Sequence, residues 1–220
     1  MKNWNKKTKI MLCSVLTLCI AFLCVLGVQW WLDQRNEVTY VKHAKVLHPP
    51  TDKETKDIME TSYKNEMDQT IDRPTMKEIT DFTTSKTYEE VLQKAIGKVN
   101  IPSLNLEVPI FPGTNNQYLK AGATTYTKEQ VPGQGNYVLF GHNLERDGVL
   151  FSDIPHIKIG SEVIVTQGEK AVTYVVQTKK VVSEKETRVL DTTEKATLTL
   201  ITCNKATQTN QRVVVTAIQK

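Results

Sequence analysis

The residues 196–203 read ATLTLITC, an apolar run that ends in a thiol. A short polar loop follows, and Arg212 opens the next apolar run. Alternation along the first run puts Thr197, Thr199, Ile201 and Cys203 on one face and Leu198, Leu200 and Thr202 on the other. Cys203 therefore sits beside a polar loop, where a thiol is reachable. A thiol becomes a nucleophile when a base or a positive neighbour favours the thiolate. The candidate bases are His43, His48, His142 and His156. His43 and His48 fall in a polar stretch, and His156 follows Pro155 in a turn. His142 closes the run 135–142 (GNYVLFGH) directly after Gly141, whose missing Cβ lets other groups approach. Arginine cannot act as a base, but it can bind a carbonyl or a tetrahedral oxyanion. Taken singly, each residue has an ordinary explanation: a small buried thiol, a strand-end histidine, a solubilising charge at a sheet edge. Together they are a candidate nucleophile, a candidate base and a candidate oxyanion donor.

Positioning three such groups requires a rigid scaffold. Short apolar runs cover residues 98–102, 106–110, 135–142, 161–166, 171–182, 196–203 and 212–218, with Gly and Pro between them. Seven or eight short strands in this spacing predict an all-β barrel or sandwich. The run 113–120 reads as loop or one helical turn. Ahead of the strands, Thr87 and Glu90 fit a capping box, and Tyr88, Val91, Leu92, Ala95 and Ile96 share a helical face that Gly97 ends. The boundary of the folded domain is thus expected near residue 85, giving a domain over 85–220. Residues 33–84 are polar, thin in large apolar side chains and interrupted by Pro49, Pro50 and Pro74. They read as a stem that buries too little to offset its ordering entropy. The alternative is a regulatory arm folded over the active site.

Residues 10–32 carry no charge, long enough at about 1.5 Å per residue to cross a hydrocarbon core of roughly 30 Å. Lys2, Lys6, Lys7 and Lys9 precede the run, and Trp30 and Trp31 lie at its far end. This pattern predicts a basic cytoplasmic tail at 1–9, a transmembrane anchor at 10–32, and everything after it outside the cell. A cleaved signal peptide is the competing reading, but Gly27-Val28-Gln29-Trp30-Trp31 makes a poor cleavage site. The chain holds 28 basic and 24 acidic residues; removing the four lysines of the tail leaves 28 − 4 = 24 against 24. That balance excludes the electrostatic footprint of a nucleic-acid binder. Cys13, Cys19 and Cys24 lie in the apolar run, so Cys203 has no disulfide partner in the polar part of the chain, and no cysteine pair there has metal-ligand spacing.

The segment Thr199-Leu200-Ile201-Thr202-Cys203 resembles the TLxTC signature of sortases, with Arg212 opening the next strand and His142 about 60 residues upstream after a glycine. The resemblance covers roughly residues 96–220. With one anchor at the N-terminus and none at the C-terminus, it is most similar to class A, the housekeeping type. The resemblance implies an eight-stranded sortase β-barrel with short helices behind a transmembrane helix. It implies cleavage of a Leu-Pro-x-Thr-Gly (LPxTG) sorting signal between Thr and Gly, through a thioacyl enzyme on Cys203. His142 would be the acid and base and Arg212 the oxyanion donor, with Thr202 assisting through its backbone. Val189 and Leu190, in the loop 183–195, would touch the signal. The acceptor would be an amine of the peptidoglycan precursor lipid II, and no cofactor is implied. Some class A members bind calcium through acidic loops; here the loop 124–135 offers only Glu129, too few oxygen ligands for the ion, so no metal is expected. Class C lids carry an Asp-Pro-aromatic anchor; Asp72-Arg73-Pro74 lacks the aromatic, which argues against a lid of that kind. The readings that compete with a sortase are another envelope cysteine peptidase or L,D-transpeptidase, and a non-catalytic membrane-anchored β-domain that binds a partner. An L,D-transpeptidase usually places His and Gly beside its nucleophile, and Leu200-Ile201-Thr202 supplies neither.

Overall fold

The computed structural model describes residues 14–31, 50–63 and 70–220, which fall into two compact units, Met1–Thr39 and Tyr40–Lys220. In the first, helix α1 (Ser14–Trp31) is long and apolar enough to cross a membrane by length and composition. Residues 10–13 and 32 of the expected anchor, and His43 and His48, lie outside the described residues.

In the second unit eight strands close into a barrel. They are β1 (Gly97–Ile101), β2 (Leu106–Phe111), β3 (Ala123–Thr125), β4 (Asn136–Phe140), β5 (Glu162–Gln167), β6 (Lys170–Ser183), β7 (Thr197–Cys203) and β8 (Gln211–Gln219). The order around the barrel is β1-β2-β3-β4-β7-β8-β6-β5, with β5 pairing back onto β1. Barrel rather than sandwich is thus the outcome, and the short β3 is the strand that sequence periodicity missed. Three residues are too few to show a period of two. Closure leaves no exposed edge to manage.

The alternation of β7 sorts its side chains as expected. Leu198 and Leu200 join the barrel core with Val99, Ile101, Tyr137, Leu139 and Val215. Ile201 points the other way into a second cluster with Val138 and Val214, against which Phe140, Val182, Val189 and Leu190 pack. Most strand pairs are antiparallel, but β4 runs parallel to β7, from Asn136↔Thr197 to Phe140↔Ile201. Parallel pairing brings the C-terminal ends of both strands to one end of the barrel. Those ends lead directly to His142 and Cys203.

The segment expected to be a stem departs from that expectation over residues 51–63 and 70–84. Helix α2 (Asp52–Ser62) and helix α3 (Met76–Thr83) both begin with capping boxes, Thr51 with Glu54 and Thr75 with Glu78. Each box satisfies two backbone donors that a helix start otherwise leaves open. Ile79 is fully buried, and Met59 joins the same barrel core. Asp52 Oδ1 accepts the Glu169 N–H at 2.9 Å, which holds α2 on the β5–β6 turn. Few apolar side chains are needed because the barrel supplies the other half of the interface. The next helix, α4 (Lys86–Leu92), is capped by Ser85, whose hydroxyl accepts the Tyr88 N–H, so the expected Thr87–Glu90 box is not the one that forms. Helix α5 (Asn116–Ala121) fills the region read as loop or one turn.

Candidate active site

Cys203 is the last residue of β7 and lies directly opposite Arg212 in the β7–β8 register. Residues paired this way project to the same side of the sheet. Both line a cavity of about 280 Å³, together with His142, Gly141, Thr202 and Phe140. The three residues singled out from sequence therefore meet in one place.

His142 lies two residues beyond the end of β4, in a backbone fixed from three sides. The Gly141 N–H donates to Ile201 O at 3.1 Å, the Phe151 N–H donates to His142 O at 2.9 Å, and the Thr202 hydroxyl donates to Gly141 O at 2.7 Å. Gly141 is required by space: a Cβ there would stand 2.5 Å from Phe151 Cγ. Phe151 is fully buried and cannot retreat. The Nε2 atom of His142 is buried and has no hydrogen-bond partner among the described residues. Its pKa is lowered to about 4, first by burial and then by the charges of Lys120 and Arg73, with Asp72 opposing. Burial disfavours the imidazolium, so the resting histidine is neutral at physiological pH.

Asn143, which sequence reasoning did not single out, ties the two strand ends together. Its Nδ2 donates to Cys203 O at 2.9 Å, and its Oδ1 accepts the Glu145 N–H at 2.8 Å. A histidine followed by a side chain able to bridge to the nucleophile strand was the available signal. Arg212 is held by three bonds. Nη1 donates to Thr209 O and Gln211 O at 3.2 and 3.0 Å, and Nη2 donates to Glu184 Oε2 at 2.8 Å.

Thr202 lines the cavity, with its hydroxyl committed to Gly141. Val189 and Leu190 lie elsewhere, in a 3₁₀ turn (Thr187–Leu190) packed on the Val138–Ile201–Val214 cluster. Asn136 staples that turn to the sheet. Its Nδ2 donates to Val189 O and Asp191 O at 3.1 and 2.9 Å, while its Oδ1 accepts the Thr199 hydroxyl at 2.7 Å. Leu190 also lines a second cavity with Tyr126, Val131 and Thr192. His156 ends a separate 3₁₀ turn and takes no part in the site.

Ile71, Asp72 and Arg73 also line the Cys203 cavity. Arg73 is exposed, yet it spans to the β7–β8 loop: Nη1 donates to Thr207 O at 3.0 Å and Nη2 to Thr209 O at 2.8 Å. On the other side, the Asp72 N–H donates to Asn116 Oδ1 at 2.8 Å and Asn116 Nδ2 donates to Thr70 O at 2.9 Å. The strap 70–74 thus reaches the Cys203 cavity through Ile71, Asp72 and Arg73, without the aromatic anchor that sequence reasoning looked for. Among the described residues, no group of three or more His, Cys, Asp or Glu side chains could hold a metal ion.

Known proteins are similar to this chain in sequence and in fold. The family description "Sortase domain" matches residues 99–220. Sortase A of Listeria monocytogenes is 40% identical over 119 residues, 54% of this chain and 54% of that protein. Sortase A of Bacillus anthracis is 34% identical over 145 residues, 66% of each chain. This chain therefore spans between half and two thirds of these curated relatives. The crystal structure of the Listeria monocytogenes sortase A superposes with a TM-score of 0.56 at 38% identity, covering 58% of this chain and 88% of that one. The matched region contains Cys203, His142 and Arg212 in their common cavity, and the chain belongs to the sortase family.

Proposed function

We propose that this chain is a class A sortase, a cysteine transpeptidase that cleaves an LPxTG-type signal between Thr and Gly and transfers the Thr carbonyl to an amine of lipid II. The observation that carries this reading is the shared cavity of Cys203, His142 and Arg212, with the thiol and the guanidinium directly opposite in register. Cys203 Sγ attacks the Thr carbonyl carbon, and the thiol proton passes to His142. The guanidinium of Arg212 faces the negative oxygen that develops. His142 then gives its proton to the leaving Gly amine, and the C–N bond breaks to leave a thioester. In the second half the incoming amine attacks the thioester, His142 takes the amine proton, and the thiolate leaves and recovers it. A buried, unpartnered Nε2 on a neutral imidazole suits both proton transfers.

The apolar cluster under Val189 and Leu190 supports a site for the Leu-Pro part of the signal, because it lies on the same outer face as Ile201 and extends away from Cys203. The lysine-rich start and the apolar helix Ser14–Trp31 support a single-pass anchor with a cytoplasmic N-terminus and an extracytoplasmic catalytic domain. Such an anchor concentrates the enzyme beside exported substrates and a lipid-linked acceptor. The test is incubation of the full chain in detergent with an LPxTG peptide and hydroxylamine. Hydroxamate product from the native enzyme and none from Cys203→Ala is expected; equal product from both refutes the assignment.

A further inference from the structure

We propose that Glu184 is a positioning residue that orients Arg212 for catalysis and ties that orientation to the signal-binding loop. The proposal rests on the transpeptidase reading above. Glu184 is the first residue after β6, at the root of the loop that carries Val189 and Leu190. Its carboxylate accepts from Arg212 Nη2 at 2.8 Å, and its own N–H donates to Asn210 O at 2.7 Å. It therefore touches both sides of the β8 entry.

A guanidinium at the end of a flexible side chain is useful only when its donors face the reacting oxygen. Here Nη1 is held by two loop carbonyls, Thr209 O and Gln211 O. Those carbonyls fix one corner of the plane. Glu184 fixes a second, and it is the one carboxylate in ion-pair contact with Arg212 among the described residues. With both corners held, the plane is set, and Nε makes no bond among the described residues. Nε–H and the remaining Nη2–H are the donors left for a substrate oxygen.

Glu184 does not line the cavity, whereas Arg212 does. Its effect must therefore travel through the guanidinium and not through substrate contact. Thr209 O also accepts from Arg73 of the strap, so two guanidinium groups converge on one carbonyl. Glu184 supplies negative charge that belongs to Arg212 alone, which keeps the catalytic arginine in place whether or not Arg73 is docked. Glu184 is also the first residue of the loop that carries Val189 and Leu190, so it joins the Arg212 guanidinium to the root of that loop.

The test is a double-mutant cycle on the full chain, read as kcat and KM for peptide transfer. Glu184→Ala should lower kcat by about threefold to tenfold with KM changed less, the range for a partly exposed charge pair at a functional group. Glu184→Gln keeps an acceptor and should lose less than Glu184→Ala. In an Arg212→Ala background, Glu184→Ala should cause no further loss. A second readout is independent of turnover: the rotation rate of the Arg212 guanidinium about its Nε–Cζ bond, by nitrogen-15 NMR, should rise in Glu184→Ala. Unchanged rotation overturns the proposal, as does an equal loss in both backgrounds. If the native enzyme shows no transfer, both the transpeptidase reading and this role fall; native transfer with kcat unchanged in Glu184→Ala removes this role alone.

Discussion

Replacing Arg73 by alanine should accelerate the enzyme. The side chain donates to Thr207 O and Thr209 O, and both bonds disappear in the variant. Each is exposed to water on the Arg73 side, so each contributes at the low end of the usual range, about 0.5–1 kcal/mol. Together they stabilise the docked strap by about 1–2 kcal/mol, a factor of about 5–30 in the ratio of docked to undocked molecules. The bonds through Asn116 remain, so the strap loosens without detaching. A substrate carbonyl that reaches Cys203 needs space that Ile71, Asp72 and Arg73 now line, and kcat/KM should rise by up to that same factor. Two assays check this on the full chain: transfer of an LPxTG peptide to hydroxylamine, and the second-order rate of Cys203 alkylation by iodoacetamide. Alkylation needs no signal recognition and reports access alone. A third observable is the His142 titration by NMR, which should move up from about 4 as Arg73's charge and part of the burial are removed. Arg73→Lys keeps the charge but cannot span both carbonyls, and should fall between. Alkylation and kcat/KM both unchanged, or transfer lowered while alkylation rises, would refute the reasoning; the second outcome would make the strap part of the substrate site.

Three further outcomes are expected. Gly141→Ala places a Cβ against the buried Phe151 ring and should cost about 1–3 kcal/mol, seen as a lower Tm, with transfer lost as His142 shifts. His142 titrates lower in the folded chain than its ordinary 6.5, so the unfolded chain binds more protons between pH 6.5 and about 4. Its stabilisation is complete above 6.5 and lost as pH falls toward 4, on the order of 3 kcal/mol, and the drop in Tm across that window should shrink in His142→Asn. Chelation with EGTA should leave transfer unchanged; loss of activity that calcium restores would overturn the expectation of a metal-independent site.

The centre of this site was legible because its parts are short-range signals. Cys203 and Arg212 flank one hairpin, and alternation assigns their faces without tertiary knowledge. The step from motif to cavity was not legible from periodicity. It depends on β4 lying parallel to β7, a pairing between strands some 60 residues apart. The helices α2 and α3 were missed for a different reason. The rule that a Thr followed three residues later by Glu starts a helix was applied to Thr87 and Glu90. It holds instead at Thr51 with Glu54 and Thr75 with Glu78, where both reciprocal bonds form. Composition argued against these segments because one or two apolar side chains per helix cannot form a core alone. Met59 and Ile79 need only to complete one that the barrel already has. The strap followed from that omission: Pro74 and the Thr75 cap fix where α3 starts, and the residues just before it are delivered to the cavity.

The parallel β4–β7 pair also fixes when the site is assembled. The Asn143 amide reaches the Cys203 carbonyl across 60 residues of sequence, so the pair forms late in any folding sequence that starts from local contacts. Arg212 arrives later still, and β8 must seat between β7 and β6 before the barrel closes. Before the first of these steps the thiol has neither imidazole nor guanidinium beside it, and before the second it still lacks the guanidinium. The order of the chain thus completes the Cys203–His142–Arg212 cluster only with its last strand, and a truncation before β8 would leave the thiol without its guanidinium.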